Sequence, residues 1–379
     1  MAEKVRLNEL KPMNIGDIIE TLSLSYSKLI NDKVDLNLFP SVMLWGQPGV
    51  GKSEAIDQIC RNITKMTGKK AVKTDVRLLL FNPIDLRGIP VADTDNDGEK
   101  VAKWLKPYIF KMNPSDDVVN ILFLDEISAA PQSVQAAAYQ ITLDKKVGEH
   151  SLPKNCFVIA AGNRVSDKSV ANKMPKALAN RLMHFDVMTD FDSWKKWAIE
   201  NNVNPMILGF LSFKPNLLNT FDTTSEHLAF ATPRSWVMVS NLLNYISDDI
   251  DKVYQQICGL VGTGNAVELR TWSKFYKNLP NINDVFAGKK CKVPTEPSVI
   301  FAVSCSIIQH AKRYKNDMKS VINSIKYASQ FPKDFSMLIV EEYLNNDEEL
   351  KNKLLKEPEF IRWVSSQGFQ LSGVGNGAF

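Results

Sequence analysis

The run Gly46-Gln47-Pro48-Gly49-Val50-Gly51-Lys52-Ser53 constrains this chain more than any other feature. It fits GxxxxGK[ST] and lies between the apolar stretch Ser41 to Trp45 and a helical pattern from Lys52 to about Thr67 that Gly68 stops. Strand, glycine loop and helix in that order make a phosphate cradle. The glycines let backbone N–H groups approach phosphate oxygens, Lys52 reaches the outer ones, and Ser53 is placed to hold Mg²⁺. Without those flanks the same run would read as a glycine-rich surface turn.

A β-rich run follows from Ala71 to Leu80, and further apolar runs lie at Ile121 to Leu124, Phe157 to Ala161 and His184 to Met188, with helical patterns after Pro131 and Pro175 between them. Their hydrophobicity is continuous instead of alternating, so both faces of each strand are covered and the sheet is parallel. An amphipathic helix through Ile18, Ile19, Leu22, Tyr26, Leu29 and Ile30 precedes them. From about Phe191 no buried strand is predicted, and helix starts fall near Asp192, Pro233, Asp251, Pro297 and Asp347. The expected organisation is an N-terminal helical segment over 1–35, a nucleotide-binding α/β domain over 36–190, a helical lid over 191–280 and a helical C-terminal region over 281–379.

The stretch Ile121-Leu122-Phe123-Leu124-Asp125-Glu126 delivers two adjacent carboxylates at the end of a buried strand. Ligands bind at the carboxyl ends of the strands in such sheets. Asp125 is therefore the candidate for the Mg²⁺ shell, and Glu126 for polarising an attacking water.

In order along the chain, WGQPGVGKS, LFLDEIS, AAGNR, MPKALANRLMHF and ATPRSW resemble the AAA+ superfamily, and within it the MoxR-like, helix-2-insert branch, over about residues 36 to 280. The resemblance implies a P-loop AAA+ fold, with a parallel five-stranded sheet, helices on both faces, an all-helical lid and a helical C-terminal region. It also implies Mg-ATP as cofactor; ATP over GTP rests on the resemblance alone. Asn163 matches the sensor-one residue that orients the hydrolytic water, Arg181 the arginine finger that reaches a neighbouring subunit, and Arg234 the sensor-two arginine. By local chemistry alone, Asn163 is also a turn former and Arg181 a surface ion-pairing residue. Arg164, beside Asn163, is a candidate second trans-acting cation. Leu86 to Pro107 resembles the branch's helix-2 insert and Asp144 to Pro153 its pre-sensor hairpin; as bare sequence each is a hairpin.

Function classes narrow further. A net charge of +4 with no basic block permits nucleic-acid binding without arguing for it. No stretch approaches a membrane span and MAEKVRLNELKP is no signal peptide, so a cytoplasmic protein is expected. Five scattered cysteines read as reduced thiols, and the four histidines form no ligand pair, so neither a disulfide framework nor a zinc site is expected. The glycine-rich Gly259 to Gly264 and Gly373 to Gly377 lack a preceding strand and a lysine, and Trp194, Trp197 and Trp236 fall on helical core patterns. The leading reading is a homo-hexameric remodelling chaperone acting on a protein partner, as the resemblance implies, such as one with a von Willebrand factor type A domain. The alternatives are a nucleic-acid motor and a nucleotide-regulated scaffold with negligible turnover.

Overall fold

Strands buried on both faces need apolar side chains at every position, and in the central sheet Val42 to Trp45, Ile121 to Leu124 and Phe157 to Ala161 are apolar and buried without a break. The computed structural model describes residues 10–167, 174, 176–276, 280–314, 316–345 and 348–366. The chain divides into two compact units, Met1–Ser193 with Phe221–Glu226, and Trp194–Thr220 with His227–Phe379.

In chain order the first unit holds β1 (Met13–Asn14), α1 (Ile15–Asn31), β2 (Val42–Trp45), α2 (Lys52–Thr67), β3 (Lys70–Arg77), α3 (Pro83–Arg87), β4 (Ile89–Thr94), β5 (Lys100–Leu105), β6 (Val118–Asp125), α4 (Gln132–Asp144), β7 (Lys146–Val147), β8 (His150–Ser151), β9 (Cys156–Gly162), α5 (Lys176–Ala179) and β10 (Met183–Met188). Six strands form one parallel sheet in the order β1-β10-β2-β9-β6-β3. Along β6, Ile121 and Phe123 join a core containing Ile18, Leu22 and Tyr26 of α1 and Ile56 and Ile59 of α2. Leu122 and Leu124 join the opposite core with Val134, Ala138 and Ile141 of α4. Successive side chains thus reach different helices, which explains why the runs are apolar without a break.

The sheet has one strand more than the five expected. Met13 and Asn14 pair in parallel with Val187 and Met188, and Asn14 then caps α1 by accepting from the Asp17 amide at 2.8 Å. Two residues are too few to show a period, so nothing in the sequence pattern marked them. The run read as Ala71 to Leu80 leaves the sheet after Arg77, and Leu78 to Leu80 form a single 3₁₀ turn.

Both hairpins are present. β4 and β5 pair from Ile89 with Leu105 to Thr94 with Lys100, and β7 pairs with β8 around Gly148. They are neighbours: the His150 ring hydrogen-bonds the Trp104 carbonyl through Nε2 at 2.8 Å. Gly88 at the foot of the first has φ 94°, and a Cβ there would stand 1.9 Å from the Leu105 carbonyl oxygen, so only glycine fits.

Lys145 ends α4 in a left-handed conformation, φ 53°, and its ammonium is buried against the Ser41 hydroxyl, which in turn donates to the Thr142 carbonyl at 2.5 Å. Desolvation pushes its pKa down to about 8, with the Cys156 thiol opposing. The folded chain then binds fewer protons than the unfolded one between about 8 and 10.5, so this group's contribution to stability rises with pH across that window. The charging penalty at pH 7 is roughly 3 kcal/mol. Lys145→Met should therefore raise stability at pH 7 by about 1–3 kcal/mol, and the gain should fade by pH 10. Urea unfolding of both proteins at the two pH values decides it: a gain that does not shrink would refute the assignment.

Among its described residues the second unit is helical throughout: α6 (Phe191–Glu200, its first turn in the first unit), α7 (Pro205–Phe213), α8 (Pro233–Tyr245), α9 (Ile250–Val261), α10 (Thr263–Tyr276), α11 (Ile282–Phe286), α12 (Pro297–Tyr314), α13 (Met318–Ala328), α14 (Lys333–Asn345), α15 (Glu348–Leu354) and α16 (Pro358–Ser366). The expected lid and the expected C-terminal region share this unit. Gly209 on α7 brings them together, since a Cβ there would meet Ala302 of α12 at 2.6 Å and Trp272 of α10 at 2.8 Å. Trp236 is fully buried and donates to the Leu217 carbonyl at 2.8 Å, Trp194 is buried and Trp197 half-buried, in keeping with core roles. Gly259 to Gly264 span the junction of α9 and α10. Pro175, Lys168, Asp347 and Gly373 to Gly377 lie outside the described residues.

Candidate nucleotide site

β2 ends at Trp45, and Gly46 to Gly51 turn the chain so that α2 begins at Lys52. Gly49 and Gly51 carry φ of 78° and 98°, a region that costs a side-chain-bearing residue strain but not glycine. No side chain caps α2, and the helix dipole favours an anion at its N-terminus.

Four predicted residues converge on this loop. Lys52 Nζ donates to the carbonyls of Gly46 at 2.6 Å and Gln47 at 2.9 Å and to Asn163 Oδ1 at 3.3 Å. Ser53 Oγ donates to Asp125 Oδ2 at 3.0 Å, while Asp125 Oδ1 accepts from the Glu126 amide at 2.9 Å. Glu126 is exposed, with φ 58°. A non-glycine residue in that region costs of order 1 kcal/mol and recurs at functional sites. A hydroxyl and a carboxylate at this separation are hard oxygen donors of the kind Mg²⁺ takes, with its remaining ligands drawn from phosphate and water. Among the described residues no cluster of three or more His, Cys, Asp or Glu offers a different metal site.

Three supporting features were not singled out in the sequence. Ser128, buried after Glu126, accepts the Asn163 amide on its Oγ at 2.9 Å and so fixes the residue at the tip of β9. Its signal was its place in LFLDEIS. Trp45 Nε1 donates to His184 Nδ1 at 2.9 Å, and His184 Nε2 bonds the Ala179 carbonyl at 2.7 Å. That pair is 139 residues apart in sequence, beyond any local pattern. Asp75 on β3 has its carboxyl raised above its ordinary value, chiefly by burial, against the pull of Lys73, with the nearby Asp125 charge adding to the rise.

The arginines are placed differently. Arg181 is exposed in the turn before β10, with no side-chain partner among the described residues of its unit. Because β10 runs parallel to β2 with Met183 beside Val42, Arg181 lies at the amino-terminal edge of the sheet, whereas the glycine loop leaves the carboxyl-terminal edge. Arg234 belongs to the second unit, exposed one residue inside α8, whose cap Thr232 accepts from the Ser235 amide at 3.1 Å. Arg164 is half-buried and ion-paired within its own subunit, to Asp186 and Asp167.

Comparison with known proteins bears on the same span. Residues 42–192 match the model of the ATPase family associated with various cellular activities (AAA). No curated protein sequence matches the chain. Among solved structures, the chain is similar to a Cytophaga hutchinsonii protein carrying a provisional ATPase description (18% identity, 63% of this chain and 71% of that one, TM-score 0.28). It is also similar to a point mutant of Thermotoga maritima RuvB (11%, 95% and 92%, TM-score 0.39) and to Brucella abortus NtrX in complex with ADP (14%, 95% and 70%, TM-score 0.35). These scores are too low to add to what the strand order already shows. The glycine loop, the acidic strand end and Asn163 all fall inside the matched span, and residues 42–192 are thus an AAA ATPase domain.

Proposed function

We propose that the protein is a MoxR-like AAA+ ATPase that binds Mg-ATP at Gly46 to Ser53 and uses its hydrolysis, in a homo-hexameric ring, to remodel or activate a protein partner. The observation that carries this reading is the convergence of Lys52, Ser53, Asp125 and Asn163 on one loop, with Glu126 exposed beside them. Bound ATP supplies the phosphoanhydride bond to be cleaved, and Mg²⁺ neutralises its charge. Gly46, Gln47, Pro48, Gly49, Val50 and Gly51 provide the backbone of the cradle. Lys52 exchanges loop carbonyls for phosphate oxygens. Ser53 and Asp125 hold the metal, Glu126 takes a proton from water, and Asn163 orients that water.

Arg181 and Arg234 are proposed to complete the site from the neighbouring subunit and from the lid helix. The two hairpins give the ring an accessory surface for a protein partner, for which a von Willebrand factor type A domain protein is the proposed class. No helix among the described residues is long and apolar enough to cross a membrane, and a cytoplasmic location is part of the proposal. Light scattering with a non-hydrolysable ATP analogue tests the ring. Nucleotide held at a subunit junction should shift the population to a hexamer by mass action, and a monomer at tens of micromolar protein would rule the ring out.

A further inference from the structure

β2 runs between β9 and β10, so the strand that opens into the glycine loop is flanked on both sides by strands whose pairing with it reaches Trp45. In register, Asp186 of β10 lies beside Trp45 of β2, and Trp45 beside Gly162 of β9. The two outer strands are roughly 10 Å apart. Arg164, two residues past Gly162, closes that gap with its side chain. Its Nε donates to Asp186 Oδ1 at 2.5 Å, and Nη2 pairs with the same oxygen and donates to the Val187 carbonyl at 2.8 Å. Asp167 accepts the Arg164 amide at 2.9 Å and lies 3.7 Å from Nη1. The side chains of Arg164, Asp186 and Asp167 are 16%, 12% and 5% exposed, so the fork is held with little competition from water.

Both ends of this contact touch the proposed nucleotide site. At one end, Arg164 directly follows Asn163, whose amide Ser128 holds and whose Oδ1 meets Lys52. At the other, Val187 is the residue on which Gly46 packs: a Cβ on Gly46 would stand 3.1 Å from Val187 Cβ and 3.3 Å from the carbonyl oxygen that Arg164 binds. We infer that Arg164 and Asp186 are positioning residues, a strap across the root of the glycine loop that fixes Asn163 and Gly46 relative to one another, and that Arg164 acts within its own subunit instead of on the next. Lysine could not reproduce the strap, because a single ammonium lacks the planar fork that reaches a carboxylate and a carbonyl together.

The inference rests on the ATPase reading for its kinetic consequence, and the test separates the two. In the full-length protein, Arg164→Ala should lower kcat on the order of ten- to a hundredfold, since misplacement by an ångström costs that much. Affinity for a non-hydrolysable ATP analogue should change by no more than about threefold, because every residue of the cradle is retained. Amide hydrogen exchange should quicken at Gly46 to Lys52 and at Asn163.

Arg164→Ala leaves a buried carboxylate alone, so the Arg164→Ala/Asp186→Ala double variant should regain thermal stability without regaining turnover, and Arg164→Lys should recover only part of it. If turnover returns with stability in the double variant, the pair is merely structural and the inference fails. It fails equally if mixing Arg164→Ala with Lys52→Ala subunits restores hydrolysis, which would place Arg164 in trans, or if exchange and turnover are both unchanged. If exchange quickens as stated in a protein whose wild type does not hydrolyse ATP, the strap stands and the ATPase reading falls.

Discussion

Glu126→Gln is expected to bind ATP as the wild type does and to hydrolyse it about 10²- to 10⁴-fold more slowly, the usual worth of a positioned general base. The substitution exchanges a carboxylate oxygen for an amide of the same shape. It leaves the Lys52 contacts, the Ser53 to Asp125 bond and the Glu126 amide bond to Asp125 in place. What it removes is the acceptor for the water's proton. The exposed side chain and the left-handed backbone of Glu126, φ 58°, agree with a group held out for chemistry, since neither burial nor relaxed geometry explains it. Single-turnover hydrolysis beside equilibrium binding of the same nucleotide separates the two effects. Wild-type turnover by Glu126→Gln would remove Glu126 from the mechanism, and lost binding would mean its role is in the cradle.

Arg181→Ala should give a loss of similar or larger size by a different route, because an arginine finger is typically worth about 10³ to 10⁵ in rate. The strand register keeps Arg181 from its own phosphates. From Met183 beside Val42 to Asp186 beside Trp45 is three residues of parallel strand, roughly 10 Å, and the glycine loop begins only beyond that. Exposed at the sheet's opposite edge, Arg181 is proposed to act on the site of a neighbouring subunit. Arg181→Ala should thus bind ATP nearly normally and turn it over poorly.

Mixing with Lys52→Ala subunits, whose site is disabled but whose Arg181 is intact, should restore activity from two inactive proteins, provided co-assembly is shown. Failure of every mixing ratio in co-assembled rings, or full turnover by Arg181→Ala alone, would end the finger assignment. Arg164 would then be a poor replacement, because its guanidinium is committed to Asp186 and the Val187 carbonyl.

The sequence alone determined the glycine loop, the acidic strand end and the parallel class of sheet. Each is a local property: Gly49 and Gly51 answer to φ, and Ile121 to Leu124 must be apolar at every position because each neighbour faces a different helix layer. Asn163 and the two hairpins were legible by motif and turn chemistry, again within a few residues. The edge strand Met13–Asn14 was not, since its only reason to be extended is the backbone of Val187 and Met188, some 174 residues later. Nor could sequence say that Arg164 binds Asp186, that Ser128 holds Asn163, or that Trp45 meets His184. Those contacts depend on which strands become neighbours. Strand order is a collective outcome of packing, fixed when β2 takes its place between β9 and β10, and only then does an arginine after one strand acquire a carboxylate two strands away.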